Sequence, residues 1–156
     1  MDLNTLDIVA AADRGAVLNL RHPINGSILK DEEGSTLDVT LMGRDSREFR
    51  AAQHRIAERR VRRRKGHRMP EATISPEQLE EDELDLLASV TRSFSTNITL
   101  DGKPILTRQD YVLAYGRFPW VKEQVDSFII DRSAFLGEAL TPSLPTPEST
   151  SDWNDQ

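Results

Sequence analysis

Cysteine is absent from this chain of 156 residues, and the chemistry that depends on it is excluded as well. Without thiolates there can be no disulfides, no cysteine-ligated zinc or iron–sulfur sites and no cysteine nucleophile, which fits a reducing compartment. Apolar runs reach only about five residues, whereas a membrane-spanning helix needs roughly 20, so no membrane partner is expected. The opening segment, MDLNTLDIVAAADRG, begins with acids rather than a basic region, which predicts that it is not a signal peptide.

Signatures of catalysis and of cofactor binding are also missing. The chain contains no GxGxxG loop, no Walker-type GxxxxGK[ST] loop and no GxSxG nucleophile motif. Its histidines, His22, His54 and His67, are not paired at a metal-binding spacing. Contiguous acids at 31–33 and 80–83 are typical of a solvated surface rather than of a buried acid–base pair. We therefore expect no enzyme activity, no cofactor and no metal site.

The chain does contain a moderate supply of core residues together with an excess of acids. Leu, Ile, Val and Phe make up 39 residues, about a quarter of the chain, which exceeds the roughly 20% typical of disordered sequences. Lys and Arg number 20 against 26 Asp and Glu, a net charge of −6. The length favours a single α+β domain over residues 1–140. The Pro-rich segment 141–156 has no periodicity and is predicted to be a disordered tail.

Local patterns predict an α+β fold that is mainly helical and begins with a short helix and a β-meander. Leucine and alanine recur at helical spacing over Asp2–Asp13, and Gly15 is placed to end that helix. Residues 16–43 combine an Asn-Gly turn with alternating polarity, which predicts a meander or hairpin with one apolar face. Asp45, with Glu48 three residues later, is predicted to form a capping box that starts the next helix.

Three more helices and a small β-hairpin are predicted in the second half of the chain. The segment Ser75–Gln78 is a strong helix start, and the apolar face of this helix continues to Phe94. A hairpin follows around the Asp101-Gly102 turn, and a short helix comes after it. The last helix begins near Pro119, and its apolar face extends to Leu136.

Two adjacent blocks of opposite charge dominate the middle of the chain. Residues 44–68 hold eleven Lys and Arg against three acids, a net charge of +8, whereas residues 71–85 hold seven acids and no base. Buried unpaired guanidinium groups are costly, so the charged helix over about 45–65 is predicted to project, with a linker over about 66–74. The blocks favour either a charge-matched helical pair or a surface for a protein partner. The candidate partner-binding cations are Arg59, Arg60 and Arg63.

The basic block leaves a nucleic-acid interface open as an alternative. An arginine-rich helix over 55–68 can neutralise backbone phosphates and release counterions. The same stretch lacks the interleaved aromatic residues on which single-strand binders stack bases. Nucleic acid is therefore the less favoured partner.

A second candidate surface lies among the aromatic and apolar residues of the C-terminal helices. Trp120, Ile130 and Phe135 fall off the main apolar face of the last helix, and Phe118 directly precedes it. These residues either complete the core or form an exposed apolar patch for another chain. Both interpretations stay open at the level of sequence.

Three segments of the chain carry a combination of features that is recognisable. They read DLNTLDIVAAADRGAVLNLRHPINGSIL, TLDVTLMGRDSREFRAAQHRIAERR and GRFPWVKEQVDSFIIDRSAFL. Their features are an Ala-rich opening, a His-Pro-x-x-Gly turn, a Gly-Arg-Asp-Ser helix entry, and a Phe-Pro-Trp helix ending in Asp131–Leu136. In this combination the chain resembles a family of small tail assembly chaperones of long-tailed bacteriophages, over residues 2–60 and 107–138.

The resemblance implies a non-enzymatic role in tail assembly. Such chaperones bind the long, apolar tape-measure protein, keep it soluble and help tail-tube subunits polymerise around it. They are mostly helical, act in the host cell cytoplasm and are absent from the finished virion. The implied partners are the tape-measure protein and the tail-tube protein, and a homo-oligomer is also open. Two alternatives remain: a nucleic-acid-binding regulator that uses helix 55–68, and a minor structural protein of the virion tail.

Overall fold

The computed structural model describes residues 1–65 and 74–140, with side chains described up to residue 64 and from 74 to 137. The predicted linker over 66–74 lies outside the described residues except at its last position, and the predicted tail over 141–156 lies wholly outside them. Within the described ranges the chain is α+β and mainly helical, as predicted.

Helices account for most of the described residues, and five of them follow the N-terminal meander where four were predicted. A single 3-10 turn over Leu3–Leu6 precedes the first of them. The helices are α1 (Ile8–Arg14), α2 (Arg47–Lys65), α3 (Pro76–Val90), α4 (Arg108–Arg117), α5 (Pro119–Ile130) and α6 (Arg132–Leu140).

Two small antiparallel sheets complete the fold. The strands are β1 (Ala16–Asn19), β2 (Asp38–Leu41), β3 (Thr91–Phe94), β4 (Thr99–Leu100) and β5 (Lys103–Pro104). β2 is central in the larger sheet, with Leu41 opposite Ala16 of β1 and Val39 opposite Phe94 of β3. The predicted meander over 16–43 is confirmed by the β1–β2 pair, and the hairpin at Asp101-Gly102 by the β4–β5 pair.

The predicted helix over Asp2–Asp13 is divided in two, because Asp7 starts a new helix. Its side chain accepts a hydrogen bond from the Ala10 N–H at 2.9 Å and so caps α1. Gly15 ends α1 as predicted, with a φ of +84°. A Cβ at this position would lie 2.9 Å from the carbonyl oxygen of Leu41, so glycine is required for both conformation and space.

Ser46, not Asp45, caps the N-terminus of α2, so the predicted capping box is wrong. The Ser46 hydroxyl oxygen accepts the Phe49 N–H at 3.1 Å, and Ser46 is buried. The Asp45 carboxylate instead receives Nε and Nη2 of Arg132 at 2.8 and 3.0 Å. This hydrogen-bonded guanidinium holds the pKa of Asp45 below its usual range and ties the start of α2 to α6.

α3 begins where the sequence predicts but ends before its apolar pattern does. Ser75 and Gln78 form the expected capping box, with Pro76 at the first helical position. The helix stops at Val90, and Phe94 lies in β3, a strand that the sequence analysis missed. The Thr91 hydroxyl donates a hydrogen bond to the Leu87 carbonyl oxygen at 2.7 Å and so caps the C-terminus of α3. The backbone of Thr91 is already extended, as the strand that follows requires.

The last predicted helix is two helices with a break at Asp131. The Asp131 backbone is extended, and its carboxylate accepts the Ser133 N–H at 3.0 Å, so α6 starts in a new direction. The turn allows Phe135 of α6 to pack back on Phe128 of α5, with ring centroids 5.4 Å apart. The predicted apolar face is confirmed over α5 only, and Leu136 reaches the buried interior from α6.

The core lies where the larger sheet meets α3, α4 and α5. Val39 and Leu41 of β2, Leu87 of α3, Tyr115 of α4 and Val125 of α5 are fully or almost fully buried. α3 packs against α2 on one side and α4 on the other. This central placement makes α3 the helix on which the charged residues of its neighbours converge.

Candidate partner-binding site

Arginines of α2 and aspartates of α3 face each other and form an ion cluster. Four arginines recur along one face of α2, two aspartates three residues apart lie on the facing side of α3, and a fifth arginine arrives from α4. We call this set the arginine–aspartate cluster. Its members are Arg55, Arg59, Arg60, Arg63, Asp82, Asp85 and Arg108.

Asp82 is the buried centre of the cluster. Its side chain is only 2% exposed, and its Oδ1 accepts a hydrogen bond from Nη2 of Arg59 at 3.0 Å. Its Oδ2 accepts one from Nε of Arg60 at 3.1 Å and lies 3.6 Å from Nη1 of Arg63. A carboxylate can be taken out of water in this way only when cations compensate its charge.

Asp85 is the more open anion of the pair. It accepts hydrogen bonds from Nη2 of Arg59 at 2.9 Å and Nη2 of Arg55 at 3.2 Å, and Arg108 contacts it as well. Burial alone would raise the pKa of Asp85, but the Arg59 hydrogen bond and the charges of Arg55 and Arg108 outweigh it and hold that pKa below its usual range. The Ser89 hydroxyl accepts from Arg55 and Arg108, each at 2.9 Å.

This geometry corrects the prediction that the charged end of α2 projects. Arg59, Arg60 and Arg63 are half-buried against α3, because Asp82 compensates the charge that was expected to keep them in water. Arg62 and Arg64, on the outer face of α2, are exposed. The charge-matched helical pair that the sequence favoured is therefore present between α2 and α3.

The cluster is not electrically balanced. Five guanidinium groups share two carboxylates, which leaves a local charge of +3. Nε of Arg59 and Nη1 of Arg63 are buried and have no hydrogen-bond acceptor among the described residues. The remaining acids of α3 do not correct the surplus, because Glu83 pairs with Lys122 at 3.0 Å. The other acids of this helix are exposed: Glu77, Glu80 and Glu81.

A groove with a mostly apolar surface lies beside the cluster, where α2, α3 and α5 meet. It joins two cavities of about 340 and 240 Å³, which share Gln53, Glu83 and Leu86. We call it the α2/α5 groove. Its lining residues are Arg44, Phe49, Gln53, Ile56, Ala57, Arg60, Asp82, Glu83, Leu86, Leu87, Asp126, Ser127, Ile129 and Ile130.

The two ends of the α2/α5 groove differ in chemistry. Ile130 lines the larger cavity and is 58% exposed. Arg60 and Asp82 line the smaller cavity, so the arginine–aspartate cluster forms its far end. Glu83 of α3 and Asp126 of α5 have side chains 61% and 48% exposed. The groove therefore has an apolar end at Ile130, which also contains Arg44, and a far end formed by the arginine–aspartate cluster. Along its edge, Lys122 pairs with both Glu83 and Asp126.

The predicted aromatic patch is not a single surface. Ile130 lies in the α2/α5 groove, whereas Phe118 and Trp120 are half-buried around a separate apolar cavity of about 360 Å³ beside the β4–β5 hairpin. Phe135 is half-buried against Phe128 and Gly43. Of the predicted partner-binding residues, the structure therefore brings only Ile130 and Arg60 to one groove, with Arg59 and Arg63 behind Arg60.

Several residues of this groove were not identified from the sequence. Gln53 and Ser127 carry no distinctive signal in a helical pattern. Leu86 is half-buried, because the groove opens above it. The spacing of Arg55, Arg59 and Arg63 at i, i+4 and of Asp82 and Asp85 at i, i+3 is the signal from which the cluster could have been derived.

The described residues offer little for other kinds of site. Residues 1–65 and 74–140 contain no group of three or more histidine or acidic side chains placed to hold a metal ion. In the same ranges no helix combines the length and the apolar character needed to cross a bilayer. Comparison with protein-family models, with curated proteins and with solved structures gives no match.

Proposed function

We propose that this chain is a non-enzymatic tail assembly chaperone of a long-tailed bacteriophage, which binds the tape-measure protein in the host cell cytoplasm and assists tail-tube assembly. The resemblance of residues 2–60 and 107–138 to that family supports the proposal. The observation that carries it is the α2/α5 groove, an apolar channel open to solvent and edged by charge.

The dimensions of the groove suit a helical client. From Phe49 to Arg60, α2 rises about 17 Å, which matches about three turns of a bound helix. Half-buried and exposed apolar side chains along the groove, among them Leu86 and Ile130, can receive the apolar stripe of an amphipathic helix. Exposed acids on the neighbouring face of α3 keep a chaperone with such a groove soluble.

The cluster geometry weighs against the nucleic-acid alternative. Arg59, Arg60 and Arg63 are engaged by Asp82, so a backbone phosphate would have to compete with a buried carboxylate for them. Retention on duplex DNA at about 50 mM salt, lost when the arginines of 59–64 become glutamine, would favour the regulator instead. Mass spectrometry of purified virions separates the chaperone from a tail component, since only the latter should be abundant there.

Co-expression with the tape-measure protein tests the proposal. The wild-type chain should increase the soluble fraction of that protein, and Ile130→Asp should remove most of the increase by placing a charge at the apolar end of the groove. Leu113→Asp is the matched control, because Leu113 is 50% exposed on a helix outside the groove. Both variants should melt within a few degrees of wild type, since surface substitutions usually change stability by about 0.5 kcal/mol or less.

Equal insolubility of the tape-measure protein with and without this chain would refute the chaperone function. Equal loss of solubilisation in the Ile130 and Leu113 variants would leave the function standing and refute the groove as the client site. The comparison therefore separates the role from its location.

A further inference from the structure

The larger sheet has an open edge along β1. Leu20, directly after this strand, donates its N–H to the Leu37 carbonyl oxygen on the β2 side at 2.9 Å. Backbone groups of successive strand residues point to opposite sides, so the N–H and C=O groups of Val17 and Asn19 point away from β2. Among the described residues these outward groups have no hydrogen-bond partner. We call residues 17–19 the β1 edge.

Side chains cover neighbouring parts of the sheet margins. The side-chain amide of Gln124 on α5 accepts the Arg21 N–H at 2.9 Å and donates to the Arg21 carbonyl oxygen at 2.8 Å, in the place of a neighbouring strand. On the opposite margin, the Tyr111 hydroxyl of α4 donates to the Arg92 carbonyl oxygen of β3 at 3.1 Å. Helices therefore seal the sheet at Arg21 and Arg92, but not along the β1 edge.

The β1 edge also lacks most of the features that prevent strand addition. Exposed edges are usually protected by charged side chains, by proline or by a bulge. β1 is short, but Val17 and Asn19 are uncharged and exposed, and the pairing of β1 with β2 contains no bulge. Backbone groups of this kind are satisfied by the backbone of another extended strand.

The β1 edge is complementary to itself. Two such strands, placed antiparallel about a twofold axis at Leu18, put Val17 of one copy opposite Asn19 of the second copy, and Asn19 opposite Val17 of that copy. In each of these two pairs both residues donate their N–H and accept with their C=O. The outward groups of both copies are then satisfied, and the two sheets become one continuous sheet.

The centre of this pairing is apolar. Leu18 is half-buried and lines a cavity of about 470 Å³ between β1 and α5, together with Phe128. Residues opposite each other in such a pair have Cβ atoms about 4.5–5.5 Å apart, so the Leu18 side chains of the two copies contact across the axis. On the other face of the strand Val17 is 55% exposed, and Asn19 of the second copy covers part of it.

The charges beside the β1 edge match in the antiparallel arrangement. Arg21 and Asp131 line the same cavity, and neither forms an ion pair within the described residues. Gln124 contacts Arg21, and Asp131 lies seven residues further along the chain, about 10 Å away at the helical rise of α5. A twofold axis at Leu18 reverses the second copy, so it brings the Arg21 end of each copy to the Asp131 end of the other. Glu123 also lies at the Arg21 end, so the match is between single side chains.

We propose that the β1 edge is the interface of a homodimer, in which β1 of a second copy pairs antiparallel with it about a twofold axis at Leu18. The pairing is confined to residues 17–19, because Gln124 already occupies the edge at Arg21. The cavity beside β1 and the α2/α5 groove share only Ser127 among their lining residues. The interface is thus a second surface of the chain, separate from the proposed client site.

The absence of cysteine makes disulfide trapping a direct test of this register. Leu18→Cys places one thiol of each copy at the twofold axis, and oxidation with copper phenanthroline should give a covalent dimer on a non-reducing gel. Val17→Cys is the matched control, because its counterpart in the second copy is a diagonal neighbour about 7–8 Å away, beyond the usual reach of a disulfide. Leu18→Cys should therefore crosslink about fivefold faster or more. A mixture of Val17→Cys and Asn19→Cys chains should crosslink faster than either variant alone.

A second variant tests the interface without a crosslink. Asn19→Pro removes one outward N–H and leaves the hydrogen bonds to β2 intact, so the fold should be retained while the pairing is lost. Asn19→Thr is its control, because it keeps the N–H and suits a strand. In analytical ultracentrifugation at about 200 µM, a concentration that detects small interfaces, wild type and Asn19→Thr should contain dimer. Asn19→Pro should raise the dimer dissociation constant about tenfold or more. Thermal melts establish that each variant is folded.

Crosslinking of Leu18→Cys no faster than that of Val17→Cys would overturn the proposed pairing. A dimer that persists unchanged in Asn19→Pro would place self-association on another surface and overturn it as well. A monomeric wild type in which Leu18→Cys shows no preferential crosslinking would leave the β1 edge to a strand of another protein. None of these results affects the chaperone proposal, which the co-expression experiment decides independently.

Discussion

Replacement of Asp82 by asparagine is the sharpest test of the helix pair on which the groove depends. The substitution keeps the shape of the side chain, so it removes a charge without creating a cavity. Three arginines, Arg59, Arg60 and Arg63, approach this carboxylate within 3.0, 3.1 and 3.6 Å, and the side chain is 2% exposed. After the change the local charge of the cluster rises from +3 to +4, and only one amide oxygen remains to accept hydrogen bonds.

The size of the stability loss depends on how well water can solvate the three arginines once residue 82 is uncharged. Removal of one partner from a fully buried ion pair costs about 3–5 kcal/mol, because the other charge is left uncompensated. Here the arginine side chains are 26–39% exposed, so solvent can replace part of the lost interaction. We therefore expect Asp82→Asn to lower the free energy of unfolding by about 2–3 kcal/mol, which corresponds to about 5–10 °C in Tm for a chain of this size.

Urea denaturation at neutral pH, followed by circular dichroism, measures this loss. Glu80→Gln is the matched control, because it removes the same charge from an exposed position on the same helix and should change stability by about 0.5 kcal/mol or less. A loss for Asp82→Asn no greater than that of Glu80→Gln would show that the cluster does not hold α2 on α3. The basis for a cationic end of the groove would then be lost.

Two further predictions concern the loss of stability at acid pH and the packing around α6. The folded-state pKa of Asp85 is lowered, so its contribution is present above its unfolded pKa of about 3.9 and is lost as pH falls through the folded value. Melts between pH 6 and pH 2 should therefore fall less steeply in Asp85→Asn. Gly43→Ala places a Cβ 3.0 Å from Ala12 and 3.1 Å from the Phe135 ring, which should cost about 1–3 kcal/mol in urea unfolding.

Each of these two predictions can be refuted by a specific result. If Asp85→Asn and the wild-type chain lose stability in parallel as the pH falls, the arginines do not stabilise the ionised Asp85. Gly137→Ala serves as the control for Gly43, because a Cβ at residue 137 meets nothing within 4 Å. Equal stabilities of the two alanine variants would mean that Phe135 is free to move and belongs to an open surface.

Much of the fold could be predicted because local chemistry decided it. The cap at Ser75 and the stop at Gly15 depend only on neighbouring residues, and both are confirmed. Asp45 shows where that logic ends: it has good capping chemistry, but Arg132, distant in sequence, engages it, and the buried Ser46 caps the helix instead. A tertiary ion pair of this kind leaves no local pattern to detect.

The missed elements have a common cause in apolar spacing that fits two structures. Phe94 continues the periodic pattern of α3, but its burial is achieved in a strand beside β2, where it stacks on Tyr111 with ring centroids 5.5 Å apart. Leu136 likewise fits the face of α5 by spacing and is buried from α6. Periodicity identifies which side chains are buried more reliably than it identifies the backbone that buries them.

The candidate site was half predicted because charge is visible in a sequence and grooves are not. The basic and acidic blocks indicated that Arg59, Arg60 and Arg63 have an anionic partner, and the structure supplies it as Asp82. The apolar part of the groove depends on how α2, α3 and α5 are placed relative to one another. That placement is set by packing of the whole core, so no local pattern identified Gln53 as a lining residue.

The net charge of −6 does not show that the basic block over 44–68 and the acidic block over 71–85 neutralise each other only in part. Only acids spaced like Asp82 and Asp85 can face the arginine stripe of α2, since residues three or four apart share a helix face. Of the other acids of α3, Glu83 pairs with Lys122, and Glu77, Glu80 and Glu81 are exposed, so they add negative charge to the chain without pairing with the cluster. A local surplus of cations therefore persists on an acidic protein, beside the α2/α5 groove.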